Sequence, residues 1–337
     1  MKIYRCCIPA PFTAVLEPID LDTALSPQQV LVKTHYSLIS PGTELAQYTH
    51  THVGFNIPGH WAKYPLYPGY ATVGEVVQVG DAVHSFHPGS IVFYRGRHQQ
   101  YSVLSLDKDV VLPVPDGVAL SEAPFARLAQ ISYTAVAMSS PSQGRTVVVL
   151  GLGIIGNMAA QLFALQGARV IGIDRVAERC RLASECGVPT VLNMTAEEAA
   201  PAVHEMTSGI GADITIEATG DPSLVSTGLQ MTRKLGEVII LGSPRGTAEI
   251  DIYEMIHRRG INLKGAHESL IPVLPLDNPQ GQRALSARML DLLRTGDLKV
   301  KPLAPPLRSP AEIKQCYEDL LNRKDEAIDY LLDWTRV

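Results

Sequence analysis

The feature that most constrains this chain is a six-residue stretch, Gly151-Leu152-Gly153-Ile154-Ile155-Gly156. It follows Val147-Val148-Val149-Leu150, an all-apolar run of the kind that forms a strand buried on both faces. It leads into Ile155 to Gln166, whose apolar residues recur at helical spacing. A GxGxxG pattern is weak alone, but between a buried strand and a helix it acquires a mechanism. Gly151 permits the tight turn, Gly153 lets the backbone approach a pyrophosphate, and Gly156 lets helix and strand pack closely. The first helical N–H groups, those of Ile154 and Ile155 among them, then present partial positive charge to phosphate.

The same alternation continues. Val170-Ile171-Gly172-Ile173 reads as a second strand and Glu178 to Cys186 as a second helix. Asp213 to Glu217, Glu237 to Leu241 and Ile261 to Lys264 read as further strands, the pattern of a doubly wound parallel sheet. The second strand ends at Asp174, 18 residues after Gly156. A carboxylate there accepts hydrogen bonds from the adenosine ribose and repels a 2′-phosphate, favouring NAD over NADP. Arg175 pulls the other way, because a guanidinium pairs with that phosphate. Arg179 reads as a solvated helix face. Thr219-Gly220 and Leu241-Gly242-Ser243 close two strands at their carboxyl ends, where they are expected to bracket the nicotinamide ribose.

The flanks differ from this centre. Residues 1 to about 115 are rich in β-formers, with strands expected at Gln29 to Thr34, Ala71 to Val79 and Ser90 to Tyr94. Pro41-Gly42, Pro58-Gly59, Pro68-Gly69 and Pro88-Gly89 mark turns, which suggests an antiparallel, barrel-like domain. The character changes near Leu120, where a helix is expected to begin at Ser121 to Pro124. After Gly265 come a Pro-rich loop and helices at Ser286 to Leu293 and Pro310 to Asn322. A chain of 337 residues with 46% hydrophobic residues suits two domains. Its formal net charge of −5 gives no electrostatic reason to expect nucleic acid or an anionic membrane surface. The most apolar stretch, Thr146 to Gly156, is far short of the ~20 residues that span a bilayer. The N-terminus reaches Pro9 before any long apolar run, unlike a secretion signal. The five cysteines lack CxxC spacing, and a reduced, cytoplasmic protein is expected.

The chain resembles the medium-chain dehydrogenase/reductase superfamily over nearly its whole length. Gly69-Tyr70-Ala71-Thr72-Val73-Gly74-Glu75-Val76-Val77-Gln78-Val79-Gly80, with Phe86-His87-Pro88-Gly89-Ser90-Ile91-Val92, looks like the family's GHExxGxVxxVG…FxxGDxV segment. Pro41-Gly42-Thr43-Glu44 looks like its CGTD motif. The resemblance implies an α/β protein in two domains. A GroES-like catalytic domain spans residues 1–128, with 267–337 returning to it, and a Rossmann domain spans 129–266.

Departures from the family pattern bear on mechanism. Catalytic zinc in such enzymes sits on three protein ligands. The Cys of CGTD is Pro41 here, preceded by Ser40. The His of GHE is Tyr70, with Ala71 in place of the Glu, and alignment puts Arg127 at the third ligand. Tyr94 to Tyr101 contains no cysteine, so the four-cysteine structural zinc lobe is absent too. The expectation is a member without metal, since His50, His52 and His60 fall at irregular intervals for rebuilding a site. Ser37 to Glu44 with Tyr67 to Tyr70 most resembles the zinc-lacking group that includes bacteriochlorophyllide hydroxyethyl dehydrogenase. In place of the metal, Tyr70 is expected to donate to a carbonyl oxygen, with Thr43 or Ser40 relaying and Arg127 lowering the phenol's pKa. The alternative is that Tyr70 simply fills the metal void. Backbone at Ala266 is implied to touch the nicotinamide amide, and His267 is a second acid/base candidate. Glu44 is expected to hold a loop by hydrogen bonds. The aromatic-rich stretch between Leu45 and Leu66 either walls a substrate cleft or packs as an ordinary loop.

The expected function is a zinc-independent, NAD(H)-dependent interconversion of a secondary alcohol and a ketone on a sugar, cyclitol or secondary metabolite. An NADPH-dependent enoyl or quinone reductase of the same superfamily is the first alternative. A non-catalytic nucleotide-binding paralogue is the second. The superfamily's habit of pairing through the edge of the Rossmann sheet implies a homodimer or homotetramer, with the strand Ile261 to Lys264 supplying the edge.

Overall fold

Proline and glycine divide the first 113 residues into seven strands. In the computed structural model, which describes residues 1–337, these are β1 (Lys2–Ala10), β2 (Thr13–Asp20), β3 (Gln29–Leu38), β4 (Thr72–Val79), β5 (Ile91–Tyr94), β6 (Tyr101–Ser105) and β7 (Val111–Pro113). β1 and β2 form an antiparallel pair of their own. The sequence pattern had not marked them, because β1 carries a buried run, Cys6-Cys7-Ile8, in place of alternation. β3 is the spine of the larger sheet and pairs antiparallel with β4 on one side and β6 on the other. Its Val30 and Val32 meet Val76, Val92, Tyr94 and Leu104 in one buried cluster. A short helix, α1 (Pro41–Tyr48), begins where Pro41-Gly42 signals a turn. Proline at its first position is tolerated because that N–H would lack a helical partner anyway.

The central region forms a six-stranded parallel sheet. After α2 (Phe125–Met138) come β8 (Thr146–Leu150), α3 (Ile154–Leu165), β9 (Arg169–Asp174), α4 (Ala177–Glu185), β10 (Thr190–Asn193) and α5 (Ala196–Met206). Then follow β11 (Ala212–Glu217), α6 (Leu224–Met231), β12 (Thr232–Ile240) and β13 (Asn262–Gly265). The spatial order is β10-β9-β8-β11-β12-β13. The order therefore reverses between β8 and β11, the point at which open α/β sheets bind ligands. All five residues of β8 are buried, as its unbroken apolar run requires.

The chain then adds α7 (Gln282–Thr295), β14 (Leu307–Arg308), α8 (Ile313–Asn322) and β15 (Leu331–Asp333). β15 pairs antiparallel with β3, so the seven-stranded order is β14-β15-β3-β4-β5-β7, with β6 on the same edge of β3 as β15 but at the opposite end of the strand. Residues Met1–Leu128, Pro272–Gly296 and Ala304–Val337 make one unit. Ala129–Ile271 and Asp297–Leu303 make the other, so residues 267–271 and 297–303 fall with the parallel sheet rather than returning to the first unit. No helix is long and apolar enough to cross a membrane.

Candidate active site

In the parallel-sheet unit the glycine loop has the shape its mechanism needs. Gly151 sits at φ +90°, a conformation closed to most side chains. A Cβ on Gly156 would lie 1.9 Å from the Gly151 carbonyl oxygen, so only glycine lets α3 approach β8 this closely. A Cβ on Gly153 would meet nothing within 4 Å, so the backbone just before α3, at whose start Ile154 and Ile155 lie, borders open space at Gly153.

Asp174 ends β9 and is buried. Its Oδ2 accepts the Leu152 N–H at 2.8 Å and its Oδ1 accepts the Val176 N–H at 2.9 Å. The carboxylate is thereby fixed beside the glycine loop, with lone pairs left for ribose hydroxyls. Arg179 departs from expectation. It turns back along α4 to lie 3.7 Å from Asp174 Oδ2, because α4 begins only three residues after the carboxylate. Arg175 is exposed.

At the ends of β11 and β12, Thr219, Gly220, Leu241, Gly242 and Ser243 come together. A Cβ on Gly242 would fall 2.4 Å from the Gly220 nitrogen, and one on Gly220 3.4 Å from the Ser243 carbonyl oxygen. The organiser is Glu217, which belongs to no motif and carries no sequence signal of its role. Its Oε1 accepts the N–H groups of Thr219 at 2.7 Å and Gly220 at 3.0 Å, and the Thr219 hydroxyl donates to it as well. Burial pushes the Glu217 carboxyl above its usual range, against the pull of those donors. Ala266 is buried and donates its N–H to Ile240 O at 2.8 Å. His267 is exposed and caps the turn that follows, with Nδ1 2.7 Å from Ser269 Oγ and accepting the Ser269 N–H at 3.2 Å.

The first unit contains a cluster of hydroxyls. Tyr70 Oη donates to Ser40 Oγ and lies 3.3 Å from Thr43 Oγ1. Arg127 is fully buried, with its guanidinium carbon 5.0 Å from the Tyr70 ring centroid. Residues from three separate parts of the sequence thus converge. The expectation that Tyr70 has a lowered pKa is corrected. Burial raises it and outweighs the lowering by Arg127, Ser40 and Thr43, while Glu44 adds to the rise. The phenol is therefore a proton donor rather than a standing phenolate. Glu44 holds its loop as expected, its Oε1 accepting the Ser40 N–H at 2.8 Å.

These residues do not fit a zinc ion. The positions that carry ligands in the resembling enzymes hold a proline without a donor side chain, a tyrosine bonded to serine, and a buried guanidinium. No group of three or more His, Cys, Asp or Glu side chains is placed to hold a metal. The nearby histidines do not compensate. His52 Nδ1 accepts the Gly54 N–H at 3.0 Å and His60 Nδ1 accepts the Ala62 N–H at 3.1 Å. Coordination through Nε2 needs the ring hydrogen on Nδ1, which those backbone donors exclude.

Residues 49–62, which carry these histidines, contain no Asp, Glu, Lys or Arg. His52, His60 and Trp61 form a three-ring cluster with centroids 5.0 to 5.7 Å apart. His50, Phe55 and Tyr64 stack beside them. Trp61 is 56% exposed.

Residues 26–115 match the alcohol dehydrogenase GroES-like domain, and residues 155–275 match the zinc-binding dehydrogenase family. An erythritol/L-threitol dehydrogenase of Mycolicibacterium smegmatis is 28% identical over 243 residues, 61% of this chain and 67% of its own length. An L-threonine 3-dehydrogenase of Caldanaerobacter subterraneus is 27% identical over 278 residues, 72% of this chain and 76% of its own. An alcohol dehydrogenase from Thermus shares the fold, with a TM-score of 0.79 at 20% identity over 98% of this chain and 99% of that one. The chain belongs to the medium-chain dehydrogenase/reductase superfamily, with the domain pair of the zinc-type alcohol dehydrogenases. It is an NAD(P)-dependent oxidoreductase of that superfamily.

Proposed function

We propose that this oxidoreductase works without zinc, uses NAD(H), and interconverts a secondary alcohol and a ketone on a neutral polyhydroxylated small molecule such as a sugar or cyclitol. The observation that carries this is the Tyr70–Ser40–Thr43 hydroxyl cluster over a buried Arg127, at the positions where relatives of the resembling type place metal ligands. Gly151, Gly153, the N–H groups of Ile154 and Ile155, Gly156 and Asp174 would hold the dinucleotide's phosphates and adenosine ribose. Thr219, Gly220, Leu241, Gly242, Ser243 and Ala266 would frame its nicotinamide half. Asp174 carries the NAD preference, and it weighs against the NADPH-dependent enoyl or quinone reductase alternative.

A nicotinamide dinucleotide held by these residues would supply hydride chemistry. The chain's own part is the proton. Tyr70 Oη donates its hydrogen to the carbonyl oxygen and is refilled through the hydroxyls of Ser40 and Thr43. Arg127 beneath the ring stabilises the phenolate as it forms. Reversal of these steps oxidises the alcohol.

The charge-free aromatic segment of residues 49–62 supports a neutral substrate, as does the action of the relative named above on erythritol and threitol. β13 is one of the two edge strands of the parallel sheet, and Leu263 on it and Leu235 and Tyr253 are exposed, which supports a homodimer paired along that edge. All five cysteines are unpaired and buried, in keeping with a reducing compartment.

The deciding experiment joins metal analysis to Tyr70→Phe. Purified enzyme should turn over without stoichiometric zinc, and Tyr70→Phe should lower kcat by ~10²–10⁴-fold with NADH binding intact. Near-normal turnover of Tyr70→Phe, or one tightly held zinc per chain whose removal abolishes activity, sinks the reading.

A further inference from the structure

We propose that His98 is the positioning residue of the hydroxyl site, setting Tyr70, Ser40 and Thr43 in register through its ring and its backbone together. The proposal rests on the reading of Tyr70 given above. His98 lies in the loop between β5 and β6 and is fully buried. Its backbone N–H donates to Pro68 O at 2.8 Å, and its carbonyl accepts the Cys6 N–H at 2.8 Å. It is pressed against Gly69, where a Cβ would lie 2.4 Å from the His98 nitrogen. The segment that delivers Tyr70 is therefore laid directly on His98.

Its ring reaches the other half of the cluster. Nε2 lies 3.0 Å from Glu44 Oε2 and 3.2 Å from Oε1. Nδ1 lies 2.8 Å from Ser37 Oγ, which accepts the Trp334 indole N–H at 2.8 Å. The Glu44 carboxylate also accepts the Tyr317 hydroxyl at 2.7 Å and the Ser40 N–H at 2.8 Å. Ser40 is the residue to which Tyr70 donates. One imidazole thus joins the Pro68–Tyr70 backbone to the loop bearing Ser40 and Thr43. Imidazole suits the place because it engages Ser37 and Glu44 from opposite edges of one rigid ring. A buried carboxylate held by several donors in a low-dielectric interior has little freedom to shift, and so has the loop it anchors.

The charged and titratable groups around the site are few. Arg127 and Glu44 face Tyr70. His98 and Tyr317 bond Glu44, with Cys6 and Asp329 near enough to feel its charge.

The test compares His98→Leu, which offers Glu44 no donor, with His98→Gln, whose amide still can. Kinetics, thermal melting, NADH binding and ultraviolet titration of the Tyr70 phenol, taken as a difference from Tyr70→Phe, are measured on the full chain. His98→Leu should lower kcat ~10²-fold, with KM and NADH affinity within about 3-fold of the parent. His98→Gln should recover ~10-fold of that loss. Glu44→Gln should move ionisation of the Tyr70 phenol to lower pH, since an opposing negative charge is gone. Wild-type kcat in folded His98→Leu, or equal losses in the Leu and Gln variants that track melting alone, overturns the proposal. Should His98→Leu fail to fold, Tyr317→Phe, which removes another donor of Glu44, decides by the same readouts, and unchanged kcat with an unchanged phenol titration overturns it. Undiminished turnover of Tyr70→Phe sinks the mechanism instead, while the phenol titrations still report whether His98 and Glu44 position that ring.

Discussion

The cofactor cradle and the hydroxyl site are built on opposite plans. The cradle's first half is one continuous piece of chain, in which Gly151, Gly153 and Gly156 fall within a six-residue stretch and Asp174 closes the unit at the next strand. Its geometry depends on what is missing, namely side chains at three positions. The hydroxyl site draws on residues 40, 43, 70 and 127, with support from 37, 44, 98, 317 and 334. Its geometry depends on what is present and hydrogen-bonded. A local site tolerates change anywhere but at its few steric positions. A dispersed site transmits change from many.

The largest blow to that contrast comes from Gly156→Val. Side-chain atoms forced onto the Gly151 carbonyl should destabilise the enzyme by about 3 kcal/mol and abolish NADH binding. Chemical denaturation with fluorescence titration measures both, and retained binding would mean that α3 and β8 can part without loss. Next, Asp174→Ala should lower the preference for NAD over NADP by ~10–100-fold, the worth of a charged hydrogen-bonding group. An unchanged preference would transfer the role to Arg175 or Arg179. Thr43→Val should lower kcat/KM by ~10-fold, while Thr43→Ser should stay near the parent, since only the hydroxyl at 3.3 Å from Tyr70 is at issue.

The smallest effect is one of pH. Burial would raise the Asp213 carboxyl, but the Arg233 guanidinium at 2.7 Å and the Thr146 N–H at 2.8 Å hold it below its usual value. A carboxyl whose folded pKa is depressed contributes stability above its unfolded value of about 3.9, and loses it as pH falls through the folded value. Arg233→Gln should therefore cost about 0.5 kcal/mol at neutral pH and progressively less in acid below about pH 4. A deficit that persists at low pH would assign it to packing.

How much of this was legible in sequence follows the same division. The parallel strands, the glycine loop and the position of Asp174 were readable because each rests on a local period or spacing. Pro41 to Glu44 was recognised as a motif, yet its helix was not, since proline and glycine there signal a turn. Tyr70 and Arg127 could be joined to Ser40 and Thr43 only through a resemblance, because no spacing links them to that motif. His98 was invisible. A lone histidine beside Arg97 and Gln99 in a polar stretch reads as surface, and only the fold buries it against Glu44. The direction of the Tyr70 shift was misjudged for a related reason, since a neighbouring cation can be guessed from alignment but the depth of burial cannot.

One further consequence lies in β15. This three-residue strand is wedged between β14 and β3 near the very end of the chain, and Trp334 just beyond it reaches Ser37. During synthesis, β3 emerges some three hundred residues before the strand that flanks it. The first unit must wait with an open margin until β15 has been made, whereas the six parallel strands are already available. Late closure over such a sequence separation is slow, and it leaves the margin exposed to other chains in the interval. Expression trials that vary elongation rate or trim the last ten residues should therefore register in yield of soluble material before they register in catalysis.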